Sequence, residues 1–162
     1  MDLKFKTMKK LFITAAIATM FSVTAFADGG KKAKAEGEKN VTYTALNKFS
    51  NEFATASNVV WTVTPNCQKA EFVTESGKYT AFYDLDGEYL GRTQEISILL
   101  LPEANRKEIK AKYADYTVTQ VIQYETNSAE PLVYFVDLVK ADKEVVLKAV
   151  PNQSLAFFQT IK

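Results

Sequence analysis

The sequence predicts an α+β fold of two tandem units, each one helix followed by an antiparallel β-meander of about three to four strands. Apolar residues recur in two stretches at three- and four-residue spacing, which is typical of amphipathic helices. Each stretch is followed by segments in which apolar and polar residues alternate, as in half-buried strands. Single helices between runs of strands favour α+β over an alternating α/β order.

The first 27 residues have the pattern of a secretory signal peptide. Four lysines precede an apolar run over residues 11–23, which is shorter than the roughly 20 residues needed to span a membrane. Ala25-Phe26-Ala27 then forms a small-x-small cleavage site. We therefore expect cleavage near Ala27-Asp28, a periplasmic or secreted location, and no stable membrane anchor after cleavage.

Residues 28–40 consist of glycine, charged and small residues without periodicity. Such a segment cannot bury an apolar face, so it is predicted to be a flexible tether. Residues 41–100 are expected to form the first αβ unit and residues 101–162 the second. Each is small for independent stability, so the two are expected to form one combined globular domain.

The first unit is expected to begin with a helix over residues 42–56, where Leu46, Phe49 and Phe53 fall on one stripe. Four alternating segments follow. Gly77-Lys78 and Asp86-Gly87 are the predicted hairpin turns, since glycine and aspartate tolerate the positive φ that such turns require.

The second unit is expected to begin with a helix after Pro102. The spacing of Leu101, Ile109 and Tyr113 places them on one face of this helix. A second meander follows, with turns predicted near residues 127–128, 141–143 and 152–153. The spacing Ile109-x-x-x-Tyr113 matches Phe49-x-x-x-Phe53 of the first helix and indicates a weak internal repeat.

The composition argues against several function classes. Removal of residues 1–27 takes away four lysines and one aspartate, which changes the formal net charge from +1 to −2. Nucleic-acid binding is not expected, because it requires concentrated positive charge. The chain has no histidine and one cysteine, Cys67, so it cannot build a Ser-His-Asp or Cys-His site. No glycine-rich phosphate loop is present, and we expect neither enzymatic activity nor a cofactor.

A calcium site is the sharpest ion-binding hypothesis. If Asp84 is the first position of a twelve-residue loop, Asp86, Glu88 and Glu95 fall at positions three, five and twelve, where oxygen ligands occur. Tyr89 occupies the sixth position, which needs glycine in such loops. A two-residue hairpin turn already accounts for Asp86-Gly87, so these carboxylates are weak candidates.

Aromatic residues offer a second candidate site. Alternation must direct some aromatic side chains of the first meander away from the helix-covered side, and tyrosine is favoured at protein interfaces. Trp61 and Phe72 are expected in the core, whereas Tyr79, Tyr83 and Tyr89 are candidates for contact with a partner protein.

Four segments together resemble the PepSY-like family, which is also described as β-lactamase-inhibitor-like. They are "NVVW" (58–61), "AEF" (70–72), "SGKYTAFYDLDGEYL" (76–90) and "KAKYADYTVTQV" (110–121). The resemblance covers residues 45–162 and implies an exported bacterial protein of helix-plus-sheet units related to inhibitors of secreted enzymes. It transfers no catalytic residue. The sequence departs from the pattern at Pro151-Asn152-Gln153, where the second hairpin lacks an Asp-x-x-Gly turn.

The resulting hypothesis is a non-catalytic exported module that binds or inhibits another exported protein or enzyme. Binding of a small ligand or Ca2+ in the periplasm is the alternative, and catalysis by carboxylates ranks third. The sequence leaves open the partner's identity, the oligomeric state and the exposed face of the sheet.

Overall fold

The computed structural model describes residues 37–126 and 131–161. The predicted signal peptide, most of the predicted tether and the turn near residues 127–128 lie outside them. The described chain has two α-helices, α1 (Tyr43–Glu52) and α2 (Glu103–Lys112), and one short 3-10 helix, η1 (Ile98–Leu100). The strands are β1 (Ser57–Val63), β2 (Gln68–Thr74), β3 (Gly77–Tyr83), β4 (Tyr89–Glu95), β5 (Thr117–Glu125), β6 (Leu132–Lys140), β7 (Lys143–Ala149) and β8 (Ala156–Thr160).

The eight strands form one sheet in the order of the sequence, from β1 to β8. The prediction of two tandem units, each with its own meander, is therefore wrong, although α+β holds as a broad class. The alternation of side chains identifies a strand but carries no information on whether neighbouring hairpins join laterally.

The described residues divide into two compact units, the first ending at Arg92 and the second beginning at Thr93, within β4. In the first unit, β1 pairs with β2 and β2 with β3, both antiparallel. In the second, β5, β6, β7 and β8 pair in succession, again antiparallel.

Helix α1 begins at a side-chain cap. The Thr42 hydroxyl accepts a hydrogen bond from the Ala45 amide at 3.3 Å, which satisfies one of the unpaired N–H groups of the first turn. The helix ends where the Phe53 amide donates to the Phe49 carbonyl at 2.8 Å. Ala45, Phe49 and Phe53 are buried and Leu46 packs against them, so the predicted apolar stripe is confirmed.

Helix α2 follows Pro102, which takes the N-cap position, and has Glu103 in its first turn and two lysines in its last. These charges are favourable to the helix dipole. Leu101 and Ile109 are buried in the core of the second unit and Tyr113 packs against it. The same core contains these buried side chains of the sheet: Val121, Tyr134, Val136, Leu138, Leu147 and Ala149.

Three turns use positive φ angles. Gly87 has φ 88°, Asn152 has φ 64°, and Ala141 has φ 48° in the β6–β7 turn. The turns predicted at residues 86–87, 141–143 and 152–153 lie at these places, whereas the β2–β3 turn falls at residues 75–76 because Gly77 already begins β3. In the part of the chain that is described, neither α-helix has the length and apolarity to cross a bilayer.

Candidate functional site

An aromatic cluster fills the core of the first unit. Helix α1 contributes Phe49, whose ring lies 5.3 Å from Trp61 and 5.1 Å from Phe72, both edge-on. Phe53 lies 4.7 Å from Phe72. Trp61 and Phe72 are buried, in the place that the sequence predicts. Edge-to-face aromatic pairs stabilise beyond the area they bury, so this cluster makes a rigid base for the sheet.

Tyr83, one of the three tyrosines predicted to contact a partner, has no exposed surface. Its ring lies 5.6 Å from Trp61 and 5.6 Å from Tyr89. Its hydroxyl is buried without a hydrogen-bond partner among the described residues. Burial is the main reason that the pKa of this hydroxyl lies well above its ordinary value, and the Glu52 carboxylate adds to the effect.

Tyr79 and Tyr89 are half-buried and pack against the same core. The ring of Tyr79 stacks on Phe72 with centroids 5.8 Å apart, and the Arg92 guanidinium lies 5.2 Å from the Tyr79 centroid. Cation–π contact fixes the orientation of such a ring. These two tyrosines therefore keep some surface available for contact, while Tyr83 acts through packing.

The acidic residues proposed for calcium have other contacts. The Asp84 Oδ1 atom accepts from the amides of Asp86 at 3.1 Å and Glu88 at 2.8 Å. The Glu88 carboxylate forms an ion pair with Lys48 of α1 at 2.6 Å. The Glu95 carboxylate accepts a hydrogen bond from the side-chain amide of Gln120 at 2.9 Å. Within the described ranges, no group of three or more acidic, cysteine or histidine residues could hold a metal ion.

The β3–β4 turn is instead fastened to the start of α1 by Gln68. Its Oε1 accepts from the Thr42 amide at 2.7 Å, and its Nε2 donates to the Thr42 hydroxyl at 3.1 Å and the Asp84 carbonyl at 2.7 Å. Gly87 lies so close to this helix start that a Cβ there would be 2.7 Å from the Ala45 nitrogen. The glycine and the buried glutamine thus make the turn a docking point for α1.

Cys67 is buried, and its sulfur lies 3.5 Å from the Thr64 hydroxyl. The Thr64 hydroxyl also accepts from the Cys67 amide at 3.1 Å, which closes the β1–β2 turn. This position gives the thiol a packing role in the turn, and no basic side chain is among these contacts.

A shallow concavity in the second unit is lined by Tyr116, Lys140, Ala141, Asp142 and Lys143. The Lys140 ammonium lies 5.7 Å above the Tyr116 ring and 2.8 Å from Asp115. Its hydrogen bond to Asp115 raises the pKa of Lys140. The Lys140 ammonium thus already contacts both the Tyr116 ring and the Asp115 carboxylate.

Sequence reasoning missed a pair of exposed leucines in the second unit. Leu99 and Leu100, in η1, are 70% and 65% exposed, whereas the adjacent Leu101 is 2% exposed. We call Leu99 and Leu100 the leucine turn. The sequence signal for this exposure was the run of four apolar residues 98–101 between a strand and a proline. So short a turn cannot bury all four side chains.

Comparison with known proteins supports the fold. No family model and no curated protein matches the chain. A solved structure from Bacteroides fragilis, described as a BLIP-like protein, is 16% identical, with a TM-score of 0.66, and the match covers 75% of this chain and 86% of that one. A protein of Bacteroides eggerthii, described as periplasmic, is 14% identical, with a TM-score of 0.67 and coverage of 75% and 89%.

A DUF2874 family protein from Bacteroides uniformis is also similar, at 13% identity and a TM-score of 0.64, with 75% of this chain and 87% of that chain covered. The chain therefore has the fold of BLIP-like proteins, and the resemblance predicted from the sequence is confirmed at that level.

Proposed function

We propose that the protein is a non-catalytic exported module that binds, and thereby inhibits, another protein in the periplasm. The observation that carries this proposal is the match of its fold to a BLIP-like protein over 86% of that protein's length. The location is supported by the structural neighbour described as periplasmic and by the predicted signal peptide.

The chemistry of the described residues agrees with binding. Of the side chains predicted as ion ligands, those of Asp84, Glu88 and Glu95 contact other protein groups in the structure, and the aromatic residues form a rigid core. A rigid scaffold that carries exposed apolar side chains loses little conformational freedom on association, which favours affinity.

The test is an affinity purification from a Bacteroides host. The full chain would be expressed with a C-terminal tag, exported, and recovered with its bound proteins after mild crosslinking. We expect one exported protein to be enriched over a tagged, unrelated exported domain of similar size. If that protein is an enzyme, its turnover should fall as purified tagged protein is added.

Two results would contradict the proposal. The first is recovery of no protein above the unrelated control in repeated purifications. The second is a thermal shift of the purified protein with Ca2+ or a lipid extract in the absence of any bound protein, which would favour the alternative of ion or small-ligand binding.

A further inference from the structure

We propose that the leucine turn enters an apolar pocket on the partner protein, and that carboxylates at the rim of this pocket contact the basic residues of α2. This inference rests on the proposed function, because it names the surface and the chemistry through which the partner is bound.

The leucine turn is held in place before any partner arrives. The Ser97 hydroxyl accepts from the Leu99 amide at 3.3 Å. The Leu100 amide donates to the Ser97 carbonyl at 3.0 Å, and the Leu101 amide donates to the Ile98 carbonyl at 3.1 Å. Ile98 and Leu101 pack into the core of the second unit. Both exposed leucines are thus presented by a fixed backbone, which reduces the entropy lost on binding.

Two adjacent exposed leucines can contribute strongly to affinity. Isolated exposed apolar residues are ordinary on protein surfaces. Burial of a leucine side chain corresponds to roughly a ten- to hundredfold gain in an equilibrium constant. A pocket that accepts both side chains of the leucine turn would therefore have a large effect on binding.

Helix α2, which begins three residues after Leu100, carries the charge from which we infer the charge of the partner surface. It contains four basic and two acidic residues, whereas α1 contains one of each. Glu103, Lys107 and Lys110 fall on one stripe at the helical repeat, and all three are exposed. Glu103 pairs with Lys107 at 2.7 Å, so the stripe retains a net positive charge. Carboxylates on the partner complement this stripe.

A lipid surface is the other occupant that apolar and basic side chains could fit. The leucine turn supplies fewer methyl and methylene carbons than one myristoyl chain, which alone binds membranes weakly and reversibly. The few lysines of α2 add only modest attraction to anionic lipid. A protein pocket, which surrounds the side chains on several sides, therefore fits better.

The first experiment is site-specific photocrosslinking in the exported full chain. The crosslinking residue p-benzoylphenylalanine would replace Leu99 or, as a matched control, Leu85. Leu85 is an exposed leucine in the β3–β4 turn of the first unit. We expect a crosslinked partner from position 99 and none from position 85.

The second experiment measures affinity for that partner after its purification. We expect L99S/L100S to weaken binding at least a hundredfold and L85S to change it less than twofold. K107E/K110E should weaken binding several-fold at low salt and have less effect at high salt. Unchanged melting temperatures would show that these surface substitutions leave the fold intact.

The outcomes separate this inference from the proposed function. A captured partner that binds L99S/L100S as well as the unmodified protein overturns the inference and leaves the proposed function standing. Failure to capture any protein overturns both. Sedimentation with phosphatidylcholine–phosphatidylglycerol vesicles that is lost in L99S/L100S, with no protein partner, overturns the inference in favour of a membrane surface.

Discussion

At the scale of single residues, Tyr83 shows how a buried polar group affects stability. Its hydroxyl is enclosed by the aromatic core without a hydrogen-bond partner among the described residues. A buried hydroxyl without a partner costs its full desolvation free energy, whereas its removal restores an apolar contact of similar shape.

We therefore expect Y83F to raise the free energy of unfolding by about 1 kcal/mol, as measured by urea denaturation. Y79F is the matched control, because Tyr79 is half-buried, and it should change stability by less than about 0.5 kcal/mol. A loss of stability in Y83F would mean that the hydroxyl has a polar contact in solution.

Ala141 provides a second prediction at this scale. It has φ 48° in the β6–β7 turn, a conformation that costs a residue with a Cβ about 1 kcal/mol relative to glycine. A141G should raise the melting temperature by a few degrees. A111G, in α2, is a control for which we expect the opposite shift: it should lower the melting temperature, because glycine disfavours a helix. Equal shifts of one sign in both variants would contradict the interpretation of the turn.

At the scale of secondary-structure elements, the contact between α1 and the β3–β4 turn depends on Gly87. A Cβ at this position would meet backbone and side-chain atoms of the helix start at 2.7 Å, and φ is 88°. We expect G87A to destabilise the protein by about 2–3 kcal/mol in urea denaturation. D86A changes a neighbouring exposed residue and should cost less than about 1 kcal/mol; similar losses in both would argue against the close approach.

Helix α2 makes a corresponding contact with the β7–β8 turn through Asn105 and Glu108. The side-chain amide of Asn105 donates a hydrogen bond to the Gln153 carbonyl at 2.9 Å, and the Glu108 carboxylate accepts one from the backbone amide of Leu155 at 2.9 Å. The hydrogen bond from Lys112, and then that from Leu155, lower the pKa of Glu108 from 4.5. Since the folded pKa lies below the unfolded one, the Glu108 carboxylate stabilises the fold above about pH 4.5.

This contribution is lost as the pH falls through the folded pKa. We expect the unmodified protein to be more stable than E108Q at pH 7 and the difference to disappear in acid, measured by urea denaturation across pH. A104S, an exposed change on the same helix without a titratable group, should leave the pH dependence of stability unchanged. A difference in stability between E108Q and the unmodified protein that does not decrease as the pH is lowered would contradict this assignment.

The elements themselves were largely predictable from sequence, because helix and strand periodicity are local properties. Phe49, Phe53 and Ile109 lie on the predicted faces. The lateral joining of all strands in one sheet was not predictable, since alternation is the same in a separate and a continuous meander. The exposure of Leu99 and Leu100 was also missed, because their short apolar run has no resolvable period.

At the scale of the whole molecule, the export that we propose determines the mature form of the chain. The full sequence has a formal net charge of +1, and cleavage after Ala27 would make it −2. We expect protein recovered from the periplasm to have an intact mass that begins at Asp28. A25L/A27L should retain the precursor mass, because bulky residues block the small-x-small site. Unprocessed wild-type protein in the periplasm would contradict the predicted cleavage.

The buried position of Cys67 has a consequence for its reactivity in the location that we propose. The periplasm oxidises thiols that are accessible, and this sulfur becomes enclosed beside Thr64 when the β1–β2 turn closes. In a chain exported as we propose, the thiol would therefore be accessible to mixed-disulfide formation between translocation and folding, before the turn encloses it. The redox state of the Cys67 sulfur in the mature protein would then show whether the chain folded before it met an oxidant.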